Sequence, residues 1–485
     1  MGNIVGIDLG TSTTLVACFN EAGTAQLTPN RDGDTVTPSV VQIEPNGEII
    51  IGKEAKKLLG LGFTGVFAEF KRDLGQGLSH KFGNQDITPE QLTAALLKQV
   101  LDDYAAQFGK PGMIVVSWPA NFTDAQRSAT KEAVRMANLK VDHFVSEPTA
   151  AALYYAFNEQ LNGMHLVYDI GGGTFDVSLI SADGNEIQVK FSEGVQRLGG
   201  ADMDQELLKI IDAKYQQKTG HPFDRVDCSF TQLELEAAKH ALSTRDSTQV
   251  RLVSETHGPQ MITVIRQEFE DAVKTLLKKA EEACAEMLRN NGTDKSAVGK
   301  VFMVGGPSRM PCVQESVRAF FNKTPTVKEP GDAVAKGAAI FAALRAPKGM
   351  LGPLQAKAVG ETSVVDITPH FFGIAIHEQY STSSHFNRVL IDKGLPVPYS
   401  IVKRFSTSPG ENRTGIQLII TQSPRSERDI SKVKILHNKA IPINPRGEAG
   451  EPIEVTFSYD ANGMMECILH EISTGKKTQL NLQAG

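Results

Sequence analysis

Two segments of this sequence carry the same set of residues suited to holding a polyphosphate. Ile7-Asp8-Leu9-Gly10-Thr11-Ser12-Thr13-Thr14 is matched by Tyr168-Asp169-Ile170-Gly171-Gly172-Gly173-Thr174-Phe175. Each has an apolar run, an aspartate, one apolar residue and a Gly/Thr-rich turn. Each then resumes as a strand, at Leu15-Val16-Ala17-Cys18-Phe19 and at Val177-Ser178-Leu179-Ile180. Glycine removes the Cβ that would keep a phosphate from the backbone, so successive N–H groups can surround its oxygens, and Thr and Ser hydroxyls add donors. An aspartate there is repelled by phosphate, but it can organise Mg²⁺ through water, because Mg²⁺ keeps several waters beside phosphates. One such turn is most simply an ordinary hairpin. A matched pair, with Asp176 two residues past Thr174, points to two turns gripping one polyphosphate. A third glycine element, Val301-Phe302-Met303-Val304-Gly305-Gly306-Pro307-Ser308-Arg309, follows an apolar strand; it leaves room for a flat ligand, with Arg309 able to stack on a base. Alone it is weak, because Gly-Gly turns at strand ends are common.

The elements that position these turns are legible. Before residue 346, strand-like runs alternate with long helical patterns, which argues for an α/β class. A helix is predicted from about Thr88 to Phe108, with Thr88 as N-cap, Pro89 at the first position, Gln91 completing a capping box and Gly109 ending it. Another is predicted over Arg266 to Arg289, with Phe269, Val273, Leu276 and Leu277 on one face and Gly292 beyond. After about Ala346 the helical signal disappears, and Pro347 to Glu361 reads as a connection. From Ile367 onward, alternating runs are punctuated by turns. Ile453, Val455, Phe457 and Tyr459, then Asn462-Gly463, then Met465, Cys467 and Leu469 form a hairpin signal. Three parts are therefore expected: an α/β domain over 1–346, a linker over 347–366 and an antiparallel β-sandwich over 367–485.

Bulk properties restrict the function. At 485 residues the chain exceeds one compact core. Its net charge of −6, with basic residues spread without runs, offers no nucleic-acid groove. Cys18, Cys228, Cys284, Cys312 and Cys467 are odd in number and far apart, which argues against a disulfide framework or zinc site and for a reducing compartment. The N-terminus lacks a signal-peptide pattern, Gly6 breaks a myristoylation motif, and no apolar run approaches membrane length, so a cytoplasmic protein is expected. The histidines form no ligand cluster.

The paired turns resemble those of the actin, sugar-kinase and heat-shock ATPase superfamily. Longer segments are similar to the 70-kilodalton heat-shock chaperones of the DnaK type: Trp118-Pro119-Ala120-Asn121-Phe122-Thr123-Asp124-Ala125-Gln126-Arg127, Ser146-Glu147-Pro148-Thr149-Ala150-Ala151-Ala152-Leu153, Asp169 through Val177, Leu198-Gly199-Gly200-Ala201-Asp202 and Glu451-Pro452-Ile453-Glu454-Val455-Thr456-Phe457. The resemblance spans nearly the whole chain. It implies a two-lobed, actin-like ATPase domain with a duplicated core, followed by a β-sandwich that binds peptides. ATP and ADP with Mg²⁺ would be the ligands, with K⁺ a further candidate, and unfolded or extended polypeptides the clients. Asp8 and Asp169 would organise the metal through water. Gly10, Thr11, Ser12 and Thr13 would hold one side of the phosphates, and Gly171, Gly172, Gly173 and Thr174 the other. Lys71, in Phe70-Lys71-Arg72-Asp73-Leu74-Gly75, matches a catalytic lysine at the γ-phosphate, and Glu147 and Asp176 match acids that place water and metal. Glu236, Lys239 and Ser243 match adenosine contacts, beside Gly199 and Gly200, with Gly305, Gly306 and Arg309 closing the base pocket. Pro119 and Arg127 match a relay, continued by Val364 and Val365 in the linker. Ile374, Phe405, Ile416 and Leu418 match a peptide groove.

Without the resemblance, plainer readings win at several of these positions. Lys71 would be a solvated lysine, Glu236, Lys239 and Ser243 a polar helix face, and the four groove residues sandwich core. The sequence also departs from the family. The stretch between Lys71 and Thr88 is short, the leucine-rich linker is reduced to Glu361-Thr362-Ser363-Val364-Val365-Asp366, and no helical lid is expected after the last strand. His143 and Ser146 stand where Arg and Asn usually meet J-domain cochaperones, so altered contacts with these and with a nucleotide-exchange factor are expected. Two rivals share the ATPase fold, a small-molecule kinase and a filament-forming ATPase. Neither needs a β domain with a peptide groove.

Overall fold

The computed structural model describes residues 3–347, 349–360, 362–377, 385–406, 415–442, 452–460, 464–480 and 482. Glu361, Glu451 and the Asn462-Gly463 turn lie outside the described residues. The chain divides into two compact units, 1–120 with 129–364 and 121–128 with 365–485.

In the first unit the duplication seen in the sequence becomes two sheets of like topology. Ile4–Leu9 pairs in parallel with Met113–Trp118 on one side and antiparallel with Thr13–Phe19 on the other, and Ala25–Leu27 and His143–Ser146 flank these. Likewise Leu161–Ile170 pairs in parallel with Val301–Val304 and antiparallel with Thr174–Gly184, which then pairs with Glu186–Gln196. Central strands buried on both faces read as continuous apolar runs. Ile4, Val5, Ile7, Leu166, Val167 and Ile170 are all buried. Each sheet thus delivers one aspartate and one glycine turn at the end of a strand beside a parallel neighbour.

The helices follow their end signals. Pro89–Phe108 has Thr88 as N-cap in a capping box with Gln91, and Gly109 at its end. Arg266–Asn290 buries Phe269, Val273 and Leu277. One helix departs from expectation. Pro353–Val359 stands in the stretch whose composition reads as a connection. Gln355 Nε2 donates to the Phe19 carbonyl at 2.9 Å, so a tertiary bond holds a segment that is too short to be helical alone. The strand Ser363–Val365 follows and joins the second sheet beside Glu186–Gln196.

The second unit is built on two four-stranded antiparallel sheets. Their strands run in the order His385–Ile391, Phe371–His377, Gly415–Ser423, Lys434–Pro442 and in the order Tyr399–Ser406, Pro452–Tyr459, Met465–Glu471, Lys477–Leu480. Both sheets contribute to one core. Ile453, Val455, Phe457 and Tyr459 point inward at every second position, as do Met465, Cys467 and Leu469 of the paired strand. Among the described residues no helix is long and apolar enough to cross a membrane.

Candidate active site

The two glycine turns meet. A Cβ on Gly172 would lie 2.2 Å from Ser12 Oγ, so only glycine allows this approach. The first turn is braced by Ser39, whose N–H donates to the Ser12 carbonyl at 2.9 Å and whose hydroxyl donates to the Gly10 carbonyl at 2.9 Å. In the second turn, Gly171 N–H donates to the Thr174 carbonyl at 2.9 Å. The turn is also pinned to the start of the helix Gly200–Thr219. Gly200 N–H donates to the Gly171 carbonyl at 2.9 Å and Ala201 N–H to the Gly172 carbonyl at 2.8 Å. Arg72 reaches across, donating from Nη2 to the Gly173 carbonyl at 2.8 Å and pairing with Asp202 at 2.9 Å.

Below the turns lies a buried charge cluster. Lys71 Nζ pairs with Glu147 Oε1 at 2.7 Å, with both side chains almost fully buried. Lys71 sits in the 3₁₀ turn Phe70–Asp73, and Glu147 opens the helix Glu147–Asn158, where it suits the helix dipole. Asp169 and Asp176 are cross-strand partners in one hairpin. Asp8 stands at the corresponding place in the other sheet and keeps part of its surface open, and Ser117 Oγ donates to its Oδ1 at 3.2 Å. Burial first, then the Glu147 carboxylate, lifts Asp8 to about 7 and Asp176 to about 8, against the pull of Lys71. The same causes, with Asp176 and Asp8 added, hold Asp169 well above the usual carboxylate range.

Four carboxylates facing one ammonium form a site short of positive charge, and Asp176 Oδ1 has no hydrogen-bond partner. A hydrated Mg²⁺ fits that deficit. Among the described residues no three or more acidic, His or Cys side chains converge for direct coordination of a metal ion. Of the residues the sequence singled out, Asp8, Lys71, Glu147, Asp169 and Asp176 are thus brought into one cluster.

The base-side residues form a second group. On the helix Gln232–Thr244, Lys239 Nζ pairs with the buried Asp204 at 2.7 Å and donates to the Gly200 carbonyl at 3.0 Å. Burial lifts Asp204 to about 6 in spite of this pairing. Glu236 pairs with Lys56 at 2.6 Å, and Ser243 Oγ reaches the Lys239 carbonyl at 3.5 Å. Gly305 has φ +85°, and a Cβ there would lie 2.0 Å from the Ile170 carbonyl oxygen, so this glycine packs directly on the end of the strand that carries Asp169. Gly306–Arg309 forms a 3₁₀ turn after it. Arg72, Asp204, Lys56 and Ser39 were not singled out from the sequence. Their partners lie far along the chain, and only Arg72, next to Lys71, stood inside a recognised motif.

The other expected positions are more dispersed. Pro119 is buried just after Met113–Trp118. Arg127 is buried, and its Nε donates to the Phe122 carbonyl at 3.2 Å. Val364 is buried in the strand Ser363–Val365. Ser146 caps the helix that begins at Glu147, its hydroxyl accepting from Thr149 N–H at 3.4 Å, and His143 is half-buried. Ile374 and Leu418 belong to the sandwich core, and Phe405 and Ile416 pack at its margin.

A sequence model described as Hsp70 protein matches residues 4–87 and 77–485. The chain belongs to the Hsp70 family. Hsp70 proteins are ATPases and ATP-dependent chaperones that bind ATP or ADP with Mg²⁺ and take unfolded polypeptides as clients. The two matches overlap within the stretch between Lys71 and Thr88 that is expected to be short. In this Hsp70-family chain the several sheets and mixed α/β content fit such an ATPase followed by a β domain.

Proposed function

We propose that residues 1–346 of this Hsp70 bind Mg-ATP between the two glycine turns and hydrolyse it slowly, and that the nucleotide state sets the peptide affinity of residues 367–485. The observation that carries this reading is the buried Lys71–Glu147 pair beside Asp8, Asp169 and Asp176, under turns that only glycine permits.

Each residue's task follows from its surroundings. The turn around Gly10–Thr13 and the turn around Gly171–Thr174 would receive phosphate oxygens on N–H and hydroxyl donors. Asp8 and Asp169 would hold the metal's water shell, and bound Mg²⁺ would supply charge neutralisation on the phosphates. Lys71 is the one cation in the cluster, so it would stabilise charge that develops during phosphoryl transfer, where positioning and electrostatics dominate. Glu147 holds Lys71 in place, and Asp176 would help to position the attacking water and the metal's water shell. Lys239, fixed by Asp204, and Arg309 would bracket the nucleoside. Val364 and Val365 would carry the state of the ATPase domain to the β domain, whose groove would be shaped by Ile374, Phe405, Ile416 and Leu418. Because Ile374 and Leu418 are core residues, peptide binding would depend on the core's packing as well as on an open surface.

Phosphate release with no acceptor present tests the reading and separates it from a kinase. Removing one preorganised charge donor typically costs about 10²–10³ in rate. Lys71→Ala should lose turnover by that order and keep ATP binding, since the turns supply most phosphate contacts. Unchanged turnover in the variant would reject the role.

A further inference from the structure

Five side chains that the reaction does not use, Tyr154, Tyr155, Glu329, Asp332 and Lys336, meet at the loop before the helix Ala333–Arg345. Glu329 holds φ +43°, a left-handed conformation that a residue with a Cβ adopts only when its surroundings impose it. Its carboxylate accepts a hydrogen bond from the Tyr154 hydroxyl and another from Lys336 Nζ at 2.7 Å. Lys336 also pairs with Asp332 at 3.2 Å, and its Nζ lies 5.7 Å from the centre of the Tyr154 ring. The neighbouring Tyr155 hydroxyl lies 2.9 Å from the Met303 carbonyl and 3.1 Å from the Lys328 carbonyl, fastening the loop's start to the strand Val301–Val304. The Glu329 side chain is 49% exposed, so these bonds hold a conformation more than they bury a group.

What the loop touches gives that conformation a use. The Pro330 carbonyl accepts the Gly305 N–H at 2.7 Å, and the space a Cβ on Gly331 would take is 3.7 Å from Arg309 Nη2. We propose that Tyr154 and Lys336 clamp Glu329 in its left-handed conformation, so that Glu329, Pro330 and Gly331 hold Gly305 and Arg309 in place against the base of the nucleotide. Tyr154, Glu329 and Lys336 are positioning residues for the base. This rests on the assignment of Gly305, Gly306 and Arg309 to the base pocket. Tyr154 stands on the helix that begins with Glu147, seven residues and about two turns away. The clamp therefore ties the base side of the site to the helix that carries Lys71's partner.

The test measures binding of Mg-ATP, Mg-GTP and Mg-tripolyphosphate to the full chain by calorimetry, the last probe having phosphates and no base. Tyr154→Phe removes one hydroxyl. Without it, Glu329 should leave the left-handed region most of the time, and ATP affinity should fall about 5- to 30-fold with the fraction of protein in the competent loop conformation. Discrimination between ATP and GTP should narrow. Tripolyphosphate affinity and the single-turnover rate of bound ATP should stay within about twofold, as expected when uniform binding alone is lost. Adding Glu329→Gly, for which a positive φ costs little, should restore most of the ATP affinity, a rescue that a purely structural role would not give. Lys336→Gln should lower ATP affinity in the same direction and serves as the second variant should Tyr154→Phe melt early. Equal ATP affinity in parent and Tyr154→Phe overturns the clamp while leaving the nucleotide assignment standing. A matching loss for tripolyphosphate overturns its restriction to the base. A parent chain that binds no Mg-ATP overturns the proposed function and the clamp together.

Discussion

Asp176→Asn should make the metal-free protein more stable at pH 8 while impairing its activity. Asp176 is 2% exposed, its Oδ1 has no hydrogen-bond partner, and burial with the nearby Glu147 carboxylate raises it from 3.8 to about 8. A carboxylate raised on folding binds its proton more tightly in the folded state than in the unfolded one. Stability is therefore lost as pH rises from about 4 towards about 8, and the loss levels off above the folded value. For one group moved from 3.8 to about 8, this linkage takes about 1.7 kcal/mol at pH 5 and about 5 kcal/mol at pH 8, so about 3–4 kcal/mol is lost between them. That is an upper limit, because water entering the cluster reduces the cost of the charge. Asparagine does not titrate, so the variant should shed this slope. Asp169 should titrate more easily as well, since Asp176 is among the charges that raise it. The assay is urea unfolding with a chelator between pH 5 and pH 8, followed by the fluorescence of the single tryptophan, Trp118, which is buried in the same unit as the cluster. Parallel stability curves for variant and parent over that range would refute the reasoning.

Gly172→Ala places a methyl 2.2 Å from Ser12 Oγ, and the strain of parting the turns should weaken ATP binding about 5- to 150-fold by calorimetry. Lys239→Met leaves Asp204 buried without its 2.7 Å partner and should destabilise the protein by about 3–5 kcal/mol in chemical denaturation. The loss should be larger at pH 8 than at pH 5, because Asp204, already lifted to about 6, rises further without the lysine and escapes the cost at low pH by holding its proton. Val364→Asp with Val365→Asp puts charge where Val364 is buried, and should remove an ATP-to-ADP difference in peptide affinity worth about 1–3 kcal/mol, read by fluorescence anisotropy.

Local rules made much of this molecule legible. The capping box of Thr88 and Gln91, the inward alternation of Ile453, Val455, Phe457 and Tyr459, and the twin Asp-Gly turns are short-range patterns whose physics is complete within a few residues. The helix Pro353–Val359 was not visible, because seven residues are too few to show a helical period, and the bond from Gln355 to the Phe19 carbonyl that anchors it comes from across the fold. The same holds for Lys239 with Asp204, Lys56 with Glu236 and Tyr154 with Glu329, whose meaning lies in partners that only the folded chain supplies. Lys71 is the sharpest case. Spacing alone reads it as a solvated surface lysine, and resemblance marks it as catalytic; the structure buries it against Glu147 at 2.7 Å.

Whether nucleotide state governs peptide release can be read in one stopped-flow measurement. A labelled apolar peptide is bound to the full chain, and its dissociation rate is read after mixing with Mg-ATP or Mg-ADP, in the parent and in Lys71→Ala. If it does, release should be faster with ATP than with ADP in both proteins. In the parent, release should return to the slow rate as ATP is hydrolysed, whereas Lys71→Ala should stay at the fast rate. Identical dissociation rates in ATP and ADP for the parent would contradict it.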